Sequence, residues 1–342
     1  MGDDFDERNV RIVVADGVIT HIEEIDRVPD QWIVPGFFNA HTHLGDTVAM
    51  DVDAAGSIGD LVAPPPDGLK HRILRASSPR LCVEAMAASI RTMAQTGTWG
   101  GFADFREGGI PGVEYLQQAN TDCSLDAVIF GRDGGGESVG AGLGVSSSRH
   151  YGEELTKIIE RARADGKQIA FHAGEKDSRD VDAALAFDPD MLVHCTHVTP
   201  AQIRRIADAG IPVVICPPRS NWRLGVTSSN QNPPVHAMLE AGVELWLGTD
   251  NVMFVQPDMA AEMAFCHYVY HIDAPTILKM ATGGGAQIVD RNYSLIKDHD
   301  ARFTRYNMAR SNAGFSKNIL NTIITRLNSI SMEGSLLNCY LK

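Results

Sequence analysis

Val34-Pro35-Gly36-Phe37-Phe38-Asn39-Ala40-His41-Thr42-His43-Leu44-Gly45-Asp46 is the stretch whose reading decides the fold. An apolar run ends in two histidines one residue apart, and a glycine follows two residues later. Such a run reads as a buried β-strand opening into a loop. On a strand, residues i and i+2 share a face, so both imidazoles can reach one point in space, as a metal ion requires. His-x-His alone is weak evidence, because a polar strand end produces it by chance. It gains weight from the matching strand ends further along the chain.

Downstream, strand-length apolar runs alternate with helical stretches near 78–95, 111–120, 152–165, 199–209 and 233–241. Four runs stop on residues that can do chemistry. Gln168–Phe171 leads into His172-Ala173-Gly174-Glu175, and Asp190–Val193 into His194-Cys195-Thr196-His197. Ile211–Cys216 leads into Pro217-Pro218-Arg219-Ser220-Asn221, and Val243–Gly248 into Thr249-Asp250-Asn251. With Thr98–Arg106, Leu125–Gly131 and Gly140–Ser147, and counting from the His-x-His strand, the chain offers eight β units. Alternation of this kind predicts an α/β fold with a parallel sheet and right-handed crossovers. Eight units predict a (β/α)8 TIM-like barrel, whose sites lie at the C-terminal strand ends. Gly134–Gly136 is too glycine-rich for helix, and no G-x-x-x-x-G-K-[ST] is present there, so it is not read as a phosphate loop.

Outside the barrel, Val10–Val14 and Val18–Ile25 flank an Ala15-Asp16-Gly17 turn signal and predict a hairpin. Phe303–Tyr306 and Ile319–Thr325 read as strands from the other end. The expected division is a small β-sandwich from 1–34 plus 291–342 and a catalytic barrel over 35–290; Ser331–Lys342 fit neither pattern. Ala63–His71, with three consecutive prolines, reads as a rigid loop beside the first strand end.

The 342 residues are 44% hydrophobic and 21% charged, which fits a globular protein with a full core. A net charge of −13 argues against nucleic acid as partner. No apolar run approaches the roughly 18 residues that span a membrane, and the acidic start does not resemble a secretion signal. Cysteines at 82, 123, 195, 216, 266 and 339 form no C-x-x-C pair and read as thiols of a reducing, cytoplasmic setting. Outer barrel helices leave room for a homo-oligomer, whose size nothing here fixes.

His41, His43, His172 and Asp250 make a credible metal set. Imidazole and carboxylate suit Zn2+ or Fe2+, with an open position for water. Glu175, three residues after His172, can relay a proton without binding the metal. His194 can orient or deprotonate the water, with His197 its rival within His-x-x-His. Lys70, Arg106, Glu107, Arg219, Ser220 and Asn221 stand where substrate contacts are expected.

Taken together, these motifs resemble the amidohydrolase superfamily, in particular its branch of cytosine, guanine and adenosine deaminases and chlorotriazine-type hydrolases. The likeness runs from about residue 10 to 310. It implies one divalent ion, Zn2+ or Fe2+, on His41, His43, His172 and Asp250. It also implies that Glu175 is the proton shuttle, that His194 assists attack by the activated hydroxide, and that Asp250 accepts a proton from the water. Dinuclear members carry a lysine on strand four; Ala141–Ser147 has none, which implies one metal. The implied reaction is hydrolytic deamination of a nucleobase-like heterocycle. The alternative is opening of a cyclic amide, as in imidazolonepropionase-like relatives, and a more remote one is a non-catalytic barrel scaffold. Lys297–Phe303 matches the family's closing Gly-Lys-x-Ala-Asp strand only loosely.

Overall fold

The computed structural model describes residues 5–53, 58–62, 68–216, 232–290, 294–309, 311–327 and 332–333. Val10–Ala15 (β1) and Val18–Glu24 (β2) form the expected antiparallel hairpin. Asp16 and Gly17 turn it with φ of 50° and 78°, as a two-residue hairpin loop demands. Gln31–Pro35 (β3) pairs antiparallel with a strand from the far end of the chain.

Eight parallel passes come next: Phe38–His43 (β4), Gly101–Arg106 (β5), Ala127–Gly131 (β6), Gly142–Val145 (β7), Gln168–Ala173 (β8), Met191–His194 (β9), Val213–Ile215 (β10), and a last pass in two pieces, Leu245–Leu247 (β11) and Asp250–Asn251 (β12). Pairing runs β11-β10-β9-β8-β7-β6-β5-β4-β12. The first and last members of that order are one pass of chain, so the sheet closes into a TIM-like barrel. Both faces of β4 and β5 are buried throughout, as expected where helices cover one side and the barrel interior the other.

Phe38 and Ala40 point into the interior with Phe105, Phe130, Val193 and Trp246. Strict alternation would therefore turn His41 and His43 outward. Instead the pairing with β5 slips, Asn39 opposing Phe102 and Thr42 opposing Asp104. That single extra residue is a β-bulge, which re-aims the side chains beyond it. Ala40 and His41 both face inward, and so does His43.

Four expectations need correction. Ile319–Arg326 is a helix, not a strand. Its apolar residues recur at helical spacing, and the Asn318 side chain accepts from the Asn321 N–H at 3.0 Å to cap it. Lys70 and His71 lie on a helix, Leu69–Ala76, rather than in a proline loop. Gly136–Val139 forms one short helical turn, reached through left-handed Gly134 and Gly135. The late strand Phe303–Asn307 (β13) is present and sits between β3 and Met332–Glu333 (β14). Cys82, Cys195, Cys216 and Cys266 are free buried thiols as expected, whereas Cys123 is disulfide-bonded, which corrects its reading as a thiol. Among the described residues no helix is long and apolar enough to cross a membrane.

Candidate functional site

The inward histidines of β4 meet those of β8 and β9 at the C-terminal rim. The His41 ring centre lies 4.9 Å from those of His43 and His172 and 5.6 Å from that of His194. His43 Nε2 and His172 Nε2 are 3.4 Å apart. Asp250 Oδ1 stands 3.3 Å from His41 Nε2 and 3.7 Å from His43 Nε2. Donors held at ordinary zinc distances on the corners of a tetrahedron are separated by about 3.3 Å. The ring nitrogens of His41, His43 and His172 converge within 4.8 Å of one another, as a metal cluster would, and Asp250 stands beside two of them.

Their second nitrogens fix the tautomers. His43 Nδ1 donates to the Phe105 carbonyl and His172 Nδ1 to the Val145 carbonyl, each at 3.0 Å. Both Nε2 atoms are left with lone pairs facing the centre. His41 is fully buried, yet neither ring nitrogen has a hydrogen-bond partner. A buried polar atom left so is costly unless something else occupies its lone pair. Burial, more than the nearby cations, holds the His41, His43 and His172 pKa values well below the usual imidazole range, so all three rings are neutral at physiological pH.

A second donor triplet, His41, His194 and Cys216, also converges. Burial pushes the Cys216 thiol far up, so it would have to lose a proton that the imidazoles have already shed.

Asp250 reaches the centre because of how the last pass breaks. Gly248 crosses His41 so closely that a Cβ would meet its backbone nitrogen at 2.7 Å. Only glycine fits there. The Asn39 side chain then clasps Thr249, and Asp250 itself adopts a left-handed φ of 61°. His194 and Cys195 are left-handed as well, at 75° and 50°. Met191 and Val193 face inward, so a regular continuation would turn His194 away; the strained backbone turns its ring back toward the axis. Strain of this kind persists where the surroundings over-determine it and clusters at functional sites.

Glu175 Oε2 lies 3.8 Å from His194 Nε2. Its carboxyl is pushed up to about 8, first by burial and then by Asp250 and Asp180, although a quarter of the side chain still reaches solvent. Among the expected substrate contacts, Lys70, Arg106 and Glu107 come together. Glu107 Oε1 accepts from Lys70 Nζ at 2.8 Å, and Glu107 Oε2 from Arg106 Nη2 at 3.0 Å. Burial alone would raise the Glu107 pKa, but Lys70 and Arg132 hold it well below the carboxylate range. Arg219, Ser220 and Asn221 lie outside the described residues. Sequence reasoning misses Arg132, Asp46 and Asp104. Arg132 does stand at the end of a barrel strand, the one signal that points to it.

Residues 32–297 match the amidohydrolase family. The chain belongs to that family. A relative from Methanothermobacter thermautotrophicus, with a provisional aminohydrolase name, is 34% identical over 77% of this chain and 76% of its own. A 5-methylthioadenosine/S-adenosylhomocysteine deaminase from Nitratidesulfovibrio vulgaris is 25% identical over 80% of this chain and 73% of its own. The crystal structure of a zinc-bound adenosine deaminase from Xanthomonas campestris superposes with a TM-score of 0.68 at 19% identity, covering 92% and 84% of the two chains. That last likeness is one of fold. This amidohydrolase has the barrel of its family, with the histidine cluster at the rim where barrel enzymes keep their sites.

Proposed function

We propose that this amidohydrolase is a mononuclear, zinc-dependent hydrolytic deaminase of an aminated heterocycle. The observation that carries the reading is Glu175, poised beside His194 over a neutral three-histidine, one-aspartate set and holding its proton near neutral pH. The deaminase names of its relatives support the reaction class.

His41, His43, His172 and Asp250 would hold the ion. A divalent metal there supplies a Lewis acid that brings the acidity of water near neutrality. The chain's own groups move the protons. Glu175 gives the proton it holds to the ring nitrogen beside the amine-bearing carbon, which makes that carbon electrophilic, and then recovers one from the attacking water. His194, kept neutral by burial, orients the water, and Asp250 is positioned to accept its second proton. As the carbon–oxygen bond forms, the ring loses its double bond to the protonated nitrogen. The amine takes the remaining proton and leaves as ammonia, and a new ring carbonyl forms from the water oxygen. β7 carries no lysine, which supports a single ion.

The deciding experiment is ammonia release by zinc-loaded protein from aminopyrimidines, aminopurines, pterins and aminotriazines. Release abolished by a chelator and restored by Zn2+ is expected. Ring-opened carboxylate without ammonia would overturn the deaminase and leave a cyclic amide hydrolase.

A further inference from the structure

Beside the histidines lies a buried cluster of charges that the proton chemistry does not use. Lys70 Nζ divides itself between Asp46 at 2.9 Å and Glu107 at 2.8 Å. Arg106 spends its Nε and Nη2 on Glu107, and its Nη1 lies 3.8 Å from Asp104. Arg132 is different. Its Nη2 donates to Glu107 Oε1 at 2.5 Å, but its Nη1 is buried with no hydrogen-bond partner. Only 7% of that side chain is exposed.

An unpaired guanidinium nitrogen carries two N–H donors, and leaving them dry is costly. Arg132 comes directly after β6, at the rim where the other site residues stand. It is one carboxylate removed from a metal-set histidine, since Glu107 Oε1 lies 3.5 Å from His43 Nδ1. Its charge is felt at both His41 and His172. Asp133 and Tyr151 also act on its charge.

The cluster is close to balanced, with Lys70, Arg106 and Arg132 set against Asp46, Asp104 and Glu107. Within it no cation is left over for an anion, so the fitting ligand is a neutral acceptor. We infer that Arg132 anchors a ring carbonyl oxygen of the substrate through Nη1. The substrate class is then an amino-oxo heterocycle, with its oxo group placed away from the carbon that loses ammonia. The inference rests on the deaminase reading for its substrate, but a binding measurement does not need that reading.

The test measures binding of unreactive rings to the zinc-loaded protein by calorimetry. Uracil is compared with 4-pyrimidinone and xanthine with 2-hydroxypurine, pairs that differ only in the oxo group away from the carbon that cytosine or guanine would deaminate. The wild type is expected to prefer the dioxo ring of at least one pair by about 10- to 100-fold, the range of a charge-assisted hydrogen bond. R132M should erase the preference. R132K, which keeps a cation for Glu107 without the second nitrogen, should erase it too and serves if R132M does not fold. In turnover, R132M should cost cytosine or guanine at least ten times more in kcat/KM than adenine, mostly through KM. No dioxo preference in either pair, or equal losses for all rings, overturns the role of Arg132. An Arg132-dependent preference without ammonia from any amine would keep Arg132 and sink the deaminase instead.

Discussion

Asn39 and Thr249, 210 residues apart in sequence, hold each other by a reciprocal pair of hydrogen bonds. Asn39 Nδ2 donates to Thr249 Oγ1 at 2.8 Å, and the Thr249 N–H donates to Asn39 Oδ1 at 3.0 Å. The clasp closes the barrel between its first and last strands, one residue before Asp250. Asn39→Ala leaves a buried Thr249 hydroxyl and removes one acceptor from its N–H. It should cost about 1–3 kcal/mol of stability and weaken zinc retention, because Asp250 loses its anchor. Urea unfolding of apo and zinc-loaded variants separates the two effects. A variant that loses stability but holds zinc as tightly as the wild type would show that the clasp serves the barrel alone.

Most of this arrangement is legible in the sequence, and the reasons for the exceptions are physical. The barrel can be read because repeated apolar runs of strand length are a local pattern, and the candidate metal donors because each ends such a run. How His41 faces the centre cannot be read. It depends on the Asn39–Thr42 bulge, a pairing slip that exists only once β5 is alongside. The left-handed backbones of His194 and Asp250 are likewise imposed by neighbours. Ile319–Arg326 reads as strand because its β-branched isoleucines and threonines favour strand locally, whereas burial of Ile323 and Ile324 against the barrel helices selects the helix. Arg132 is obscured by its glycine-rich surroundings, which suggest a phosphate loop before they suggest a strand end.

Glu175→Gln removes the transferable proton and keeps the side-chain shape. Zinc content should stay at the wild-type level, since none of the four proposed ligands changes. Turnover should fall about 10²–10⁴-fold, the range for losing a positioned acid–base group, with KM little altered. Elemental analysis and steady-state kinetics on the same sample check both halves. Turnover within tenfold of wild type would remove Glu175 from the proton path.

His41 offers a different readout, because neither ring nitrogen has a hydrogen bond to lose. His41→Ala should reduce bound zinc from one equivalent to a small fraction. Saturating zinc should stabilise the wild type by about 3–4 kcal/mol at 100 to 1,000 times Kd, and this gain should vanish in the variant. Thermal unfolding with and without zinc measures it. An undiminished zinc shift would move the ion away from His41 and, with His41 shared by both donor triplets, out of this centre altogether.

Asp104 provides a pH signature that does not involve a metal ligand. Its Oδ2 accepts from the Leu44 N–H at 2.6 Å and from the Thr42 hydroxyl at 3.0 Å, while Arg106 stands 3.8 Å from Oδ1. Burial outweighs these partners, with Glu107 adding to it, and pushes the carboxyl up to about 6. A folded-state pKa above the unfolded value means that the native protein binds the proton more tightly. Asp104 is therefore harmless below the unfolded pKa and increasingly destabilising as pH rises from about 4 through 6, by about 3 kcal/mol in all. Asp104→Asn cannot ionise, and its Oδ1 can take over both hydrogen bonds, although its amide then faces Arg106. The stability difference, variant minus wild type, should rise across that pH window and level off above it. Other carboxylates titrate in both proteins and cancel. Urea unfolding at half-unit steps from pH 4 to 8 measures the difference; a flat line would mean that Asp104 keeps an ordinary carboxylate pKa in the folded barrel.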